Sequence, residues 1–168
     1  MFESLVNLTE PICQKKADYL IYDTTGVEPY VTENNPKFMN SKLKQAKAIS
    51  KKNTDFNPYK GVYGLLPETA AANPDIHQQY VNGHYCYALK AGVLTNGLGI
   101  VRDISFFDAD FKNAHPEIVT KKTTNPNSDK EIADSKSLKP VLQAFFKQHP
   151  TFSYKTFPGD SAFDSYDN

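Results

Sequence analysis

A mixed α/β fold follows from three features of the sequence: a β-type run at residues 18–27, a hairpin pattern from His84 to Phe107, and an amphipathic helix after Ser137 that leads into a closing strand. Antiparallel neighbours need only a turn between them, whereas a parallel return needs a long connection, usually a helix. The order strand, insertion, hairpin, helix, strand therefore predicts a mixed sheet with one crossover. A chain of 168 residues is one domain's worth. Its apolar fraction of roughly 38% lies below the roughly 45–50% usual for globular domains, which predicts a modest core with polar extensions.

Residues 1–17 carry Leu5, Leu8 and Ile12 at helical spacing, with Pro11 limiting the helix. Asp18-Tyr19-Leu20-Ile21-Tyr22-Asp23-Thr24-Thr25-Gly26-Val27 is rich in aliphatic, aromatic and β-branched residues and reads as a core strand. Asp23 is the anomaly in it, because a carboxylate in a buried strand is costly unless it is paired or binds metal. Residues 33–82 read as an insertion after this strand. Within it Ser41 to Ser50 suits a short helix, while Asn57-Pro58 through Pro67 and Asn73-Pro74 carry turn signals.

The strongest local pattern is the strand pair His84–Thr95 and Leu98–Phe107 around Asn96-Gly97, which suits a tight turn with positive φ at both central residues. Alternation places Tyr85, Tyr87, Leu89, Ala91 and Val93 on one face, and Ile100, Ile104 and Phe106 on one face with Arg102. After a polar stretch from Lys121 to Lys136, Ser137 suits an N-cap. Leu138, Val141, Leu142 and Phe145 then form a helical stripe, with Pro140 placed in the first turn. Phe152 to Phe157 reads as the closing strand, delivering Pro158-Gly159-Asp160 at its end.

Net charge is zero, with 19 basic and 19 acidic residues, yet residues 34–60 hold seven lysines against Asp55 alone. That segment is +6 and the remainder −6. Neutrality is therefore no argument against a polyanion partner, and Lys42, Lys44, Lys47, Lys51 and Lys52 are candidate DNA contacts. A solvated surface is the commoner use of such a run. A mean hydropathy of −0.55 and no apolar run near 18 residues predict no membrane span. The start, Met1-Phe2-Glu3-Ser4, has no basic n-region, so no secretory signal is expected. Cys13 and Cys86 alone make neither a disulfide framework nor a zinc cluster, which fits a reducing cytoplasm. Cys86 reads as a small core filler, and His77, His84, His115 and His149 as surface or structural residues.

Two carboxylates stand in related positions, Asp23 in the first core strand and Asp160 just after the last. On neighbouring strands they would converge on one edge, where paired carboxylates suit Mg²⁺ or Mn²⁺. Tyr19-Leu20-Ile21-Tyr22-Asp23-Thr24-Thr25-Gly26 and Phe157-Pro158-Gly159-Asp160-Ser161-Ala162-Phe163-Asp164-Ser165 resemble the first two catalytic-aspartate motifs of DDE transposases of bacterial insertion sequences. The resemblance covers nearly the whole chain and implies a ribonuclease-H-like sheet. It also implies metal-dependent cutting and joining of DNA at insertion-sequence ends, with self-association on DNA. It assigns the first metal-binding aspartate to Asp23 and the second to Asp160, and gives Asp164 no role. Their carboxylates should then lie within roughly 8 Å of one another.

The family takes its third carboxylate from a helix well after the second aspartate, whereas Glu117 and Glu131 precede Asp160 and the chain ends at Asn168. The expectation is a partial transposase catalytic domain over 1–168, incomplete at its C-terminus and inactive alone. A catalytically dead DNA-binding remnant and a non-functional gene fragment are the other readings. On residue type alone Asp23 reads as a salt-bridged strand residue and Asp160 as a turn or cap residue after Gly159.

Overall fold

A computed structural model describes residues 2–11, 18–81, 83–120 and 132–159. In order they form α1 (Phe2–Thr9), β1 (Leu20–Val27), α2 (Pro36–Ser50), α3 (Pro58–Gly61), β2 (Thr69–Ala70), β3 (Asn73–Val81), β4 (His84–Asn96), β5 (Val101–Phe106), α4 (Ala109–Ala114) and α5 (Asp134–Gln148). The fold is mixed α/β, with an open antiparallel sheet of five strands in the order β1-β4-β3-β2, and β5 also pairs with β4. β4 is long enough to serve β1, β3 and β5: His84 to Ala88 pair with β3, and Ala91 to Thr95 pair with β5.

The chain divides into two compact units, residues 1–25 with 90–168, and residues 26–89. The first unit's core holds Leu20 and Tyr22 of β1, Leu94 of β4, Phe107, Ile118, Ile132, and Leu138, Val141 and Phe145 of α5. α5 presents the predicted stripe, with Leu142 packed at its margin. It starts earlier than the sequence suggests, at Asp134 after Ala133, so Pro140 lies inside the helix rather than in its first turn. A proline there cannot donate to the carbonyl four residues back, that of Lys136, and Lys136 is exposed, so water can serve that carbonyl. Ser137 is fully buried within the helix rather than capping it. Its hydroxyl donates to the Asp134 carbonyl at 2.6 Å and accepts from Tyr22 Oη at 2.7 Å.

Tyr22 also fixes the spacing of β1 and β4. A Cβ on Gly92 would stand 2.6 Å from the Tyr22 hydroxyl, so only glycine lets the ring lie across β4. α1 differs from expectation, since Val6 is its buried residue while Leu5 and Leu8 are exposed. β5 differs too: Ile100, Ile104 and Phe106 are exposed and Arg102 is the buried residue. The Arg102 guanidinium meets the Glu10 carboxylate at 2.8 Å and donates to Thr9 Oγ1 at 2.7 Å. A buried charge is tolerable only with such partners, and here they are the last residue of α1 and the one after it.

The turn between β4 and β5 is wider than a two-residue hairpin. Positive φ falls at Gly99 rather than Gly97, and the Asn96 side chain accepts from the amides of Leu98 and Ile100. Asn96 is wholly buried and its amide oxygen substitutes for a ladder acceptor at the strand end.

The second unit has its own core of Leu66, Ala70, Ile76 and Tyr87, with Phe38, Met39, Tyr85 and Leu89 packed against it. The expected irregular chain at Asn73-Pro74 is instead the start of β3, which pairs with β4 from His77 to Val81. Pro74 stands before the residues that pair with β4, which begin at His77, so its missing amide costs no bond in that ladder. α2 begins at Pro36, well before Ser41, because Asn35 caps it by accepting from the Lys37 amide and Pro36 fits the first helical position. The Asn34 side chain accepts from the Tyr87 amide at 2.8 Å and donates to the Tyr87 carbonyl at 2.8 Å, so it satisfies both backbone groups of this β4 residue.

Candidate functional site

β1 sorts its residues by alternation: Leu20 and Tyr22 point into the core while Tyr19 and Asp23 are exposed. Asp23 is therefore a carboxylate on the solvent side of a strand whose other side is core, and the cost of burying a charge does not arise. Its Oδ1 accepts from the Thr24 amide at 2.8 Å, a local contact that leaves the carboxylate facing water.

The next residue connects β1 to α5. Thr24 Oγ1 donates to Asp134 Oδ1 at 2.9 Å, and Lys90 Nζ contacts the same Asp134 oxygen and donates to the Ile132 carbonyl at 2.7 Å. Asp134 is thus a held carboxylate, compensated by Lys90, whereas Asp23 is exposed. Beneath them, burial pushes the Tyr22 phenol well above its usual pKa, with Asp134 and Asp23 adding to the rise and the Ser137 hydrogen bond opposing it. Tyr22 accordingly stays neutral and structural near neutral pH.

At the start of β1 the chain returns in parallel. Tyr19 and Thr156 form a parallel bridge, Leu20 N donates to Thr156 O at 3.0 Å, and Lys155 N and Thr156 N donate to Asp18 O at 2.9 and 3.1 Å. Lys155 Nζ adds an ion pair with the Asp18 carboxylate at 2.9 Å. The closing segment is thus one bridge beside β1 among the described residues, rather than a full strand from Phe152. Asp160 and Asp164 lie outside the described residues. No family model, curated protein or solved structure matches this chain.

The lysines predicted to meet DNA are carried mainly by α2. Lys44, Lys47, Lys51 and Lys52 are exposed and Lys42 is half-buried. Two lie over aromatic rings, Lys42 over Phe38 and Lys47 over Tyr59, each at 5.4 Å from the ring centroid. The structure thus brings these cations to one helix and its end, in the second compact unit, while Asp23 belongs to the first. Among the described residues no helix is long and apolar enough to cross a membrane.

A second group of chemically competent side chains was not singled out by the sequence. Glu28, just after β1, and His84 and Cys86 of β4 place one ligand-capable atom each within 4.8 Å of one another. His84 Nε2 and Glu28 Oε2 are 2.9 Å apart and both side chains are exposed, while Cys86 is buried beside Val81 and Ala88. Burial raises the Cys86 thiol pKa and the Glu28 carboxylate raises it further. The only signal in the sequence is the spacing of His84 and Cys86, two residues apart on a strand and hence on one face. Glu28 is far away in sequence and carries no local signal at all.

Proposed function

We propose that this chain is part of the catalytic domain of a DDE-type transposase of a bacterial insertion sequence, with a ribonuclease-H-like arrangement in which Asp23 and Asp160 hold Mg²⁺ or Mn²⁺ against DNA. The observation that carries this reading is the parallel bridge of Tyr19 with Thr156. Each of these residues lies four positions before one of the two aspartates. The bridge therefore sets the two motifs beside one another at corresponding positions, although Phe157, Pro158 and Gly159 themselves carry no strand pairing. On this reading both aspartates belong to that strand edge, where they would share a divalent ion. The strand order also supports it: β5, β4 and β1 are hydrogen-bonded neighbours, α5 follows, and the chain then returns parallel to β1.

The donor chemistry fits a hard cation. Asp23 offers a solvent-facing carboxylate, and Asp134, which could compete as a ligand, is already held by Lys90 and Thr24. When bound, the ion supplies activation of a water or 3′-hydroxyl and neutralisation of charge developing at phosphorus. Asp23 positions that ion from a strand anchored by Leu20 and Tyr22 in the core. The two aspartates would hold the metal, and cutting and joining would need the family's third carboxylate, a Glu, as well.

The test separates binding from turnover. Fe²⁺ in place of Mg²⁺, with ascorbate and peroxide, should break the polypeptide near residues 23 and 160, and Asp23→Asn should abolish the break near 160. Cleavage near 160 that survives Asp23→Asn would overturn the shared site. Mn²⁺-dependent nicking of supercoiled plasmid, absent in Asp23→Asn, would identify the chain as an active enzyme. The exposed lysines of α2 favour a second reading, a catalytically dead DNA-binding remnant, for which salt-sensitive DNA binding without nicking is the expected result.

A further inference from the structure

We propose that Glu28, His84 and Cys86 form a zinc-binding site, separate from the aspartates and independent of the transposase reading. All three belong to the compact unit 26–89. Their ligand atoms lie within 4.8 Å of one another, and His84 and Glu28 are already in contact at 2.9 Å. A tetrahedral zinc ion bonded to nitrogen and oxygen at about 2.0–2.2 Å and to sulfur at about 2.3 Å sets its donors roughly 3.3–3.7 Å apart. From the present separations, 2.9 Å for His84–Glu28 and none above 4.8 Å, that spacing needs up to about 1 Å of side-chain movement, which opens the His84–Glu28 pair, and the exposed Glu28 and His84 have room to supply it.

Donor chemistry selects the metal. Thiolate and imidazole are borderline or soft ligands that favour Zn²⁺ over Mg²⁺, the ion suited to Asp23. The charges also balance, since a thiolate and a carboxylate together neutralise a divalent cation and His84 binds as the neutral imidazole. Cys86 supplies the buried side of the site, packed with Val81 and Ala88, and the exposed side of His84 and Glu28 leaves the fourth position to water. The strand geometry holds two of the ligands without any loop: His84 pairs with Val81 and Cys86 with Gln79 in the β3–β4 ladder, so both project from one face at fixed separation. The ion would tie the chain just beyond β1 to the start of β4.

The full chain, reduced and freed of metal, should bind one equivalent of Zn²⁺ in competition with a chromophoric chelator. Co²⁺ in its place should give an intense tetrahedral visible spectrum with a thiolate charge-transfer band. Cys86→Ser and His84→Gln should each weaken Zn²⁺ binding by about 100-fold or more, at least matching the loss of an outer-shell partner. His84→Gln and Glu28→Gln alter exposed side chains, so an unchanged far-ultraviolet circular dichroism spectrum will show that the fold persists. Cys13→Ser and Asp23→Asn should leave the affinity as it is. Absence of stoichiometric binding, binding undiminished in Cys86→Ser, or a Co²⁺ complex without the thiolate band would each overturn the site.

Discussion

Tyr22 shows how much one side chain decides in this molecule. Its ring fills the first unit's core, its hydroxyl donates to Ser137 of α5, and its edge occupies the space that a Cβ on Gly92 would need. Gly92→Ala should therefore cost about 1–3 kcal/mol, as overpacking in a close-packed core does, measured by urea denaturation. Ionisation of the buried phenols gives a pH signature. Burial raises Tyr22 above the ordinary value of 10.0, and Tyr85 is pushed up to about 12, again chiefly by burial. A raised folded-state pKa means that the stabilisation is complete below pH 10 and is lost as pH climbs through about 12 for Tyr85. Denaturation midpoints should fall steeply over that range, and Tyr22→Phe should lessen the fall that remains above it. Asp23 was legible as unusual from its place in a hydrophobic run, but the reason was mistaken: it is exposed, and alternation along β1 put it there.

Elements here are set by a few local contacts and by partners far along the chain. α2 owes its early start to Asn35, whose side chain accepts from the Lys37 amide at 2.9 Å. Asn35→Ala should destabilise the helix by about 1 kcal/mol, seen as faster amide hydrogen exchange in its first turn. The contact of β5 with the residues after α1 rests on buried Arg102 and its ion pair with Glu10 at 2.8 Å. Glu10→Gln should lower stability by about 3 kcal/mol, because the buried guanidinium loses the carboxylate it meets at 2.8 Å, and chemical denaturation will measure it. Arg102→Met should cost less, since it removes the charge as well as the partner. β1, β4 and α5 were readable as elements because their patterns are long and strongly periodic. β3 was not, because Asn73-Pro74 is a turn signal by composition and only pairing with β4 makes it a strand.

For the whole molecule, zero net charge conceals the segregation that matters for a polyanion. The +6 of residues 34–60 is displayed largely by α2 and its end, where Lys44, Lys47, Lys51 and Lys52 face solvent. If these lysines meet DNA phosphates, replacing two of them by Ala should reduce the slope of log binding constant against log salt by about 1.8, with fluorescence anisotropy as the readout. An unchanged slope would remove them from the DNA surface. The proposed zinc site belongs to this scale as well, since its ligands come from Glu28 and from β4, more than fifty residues later.

The sequence by itself determined where the periodic elements lie and how charge is segregated, and it placed Asp23 and Asp160 in motifs that resemble those of DDE transposases. Periodicity states which residues share a face, and motif spacing states which residues could act together. Neither states which face is covered. Only the tertiary structure decided that Arg102 is buried while Ile104 and Phe106 are exposed, that Tyr22 and Gly92 set the approach of β1 to β4, and that Thr156 returns beside Tyr19. It alone brought Glu28 to His84 and Cys86. The physical reason is common to all of these: the free energy of a side chain depends on the partners covering it, and those partners are contributed by chain segments whose own patterns carry no mark of the encounter.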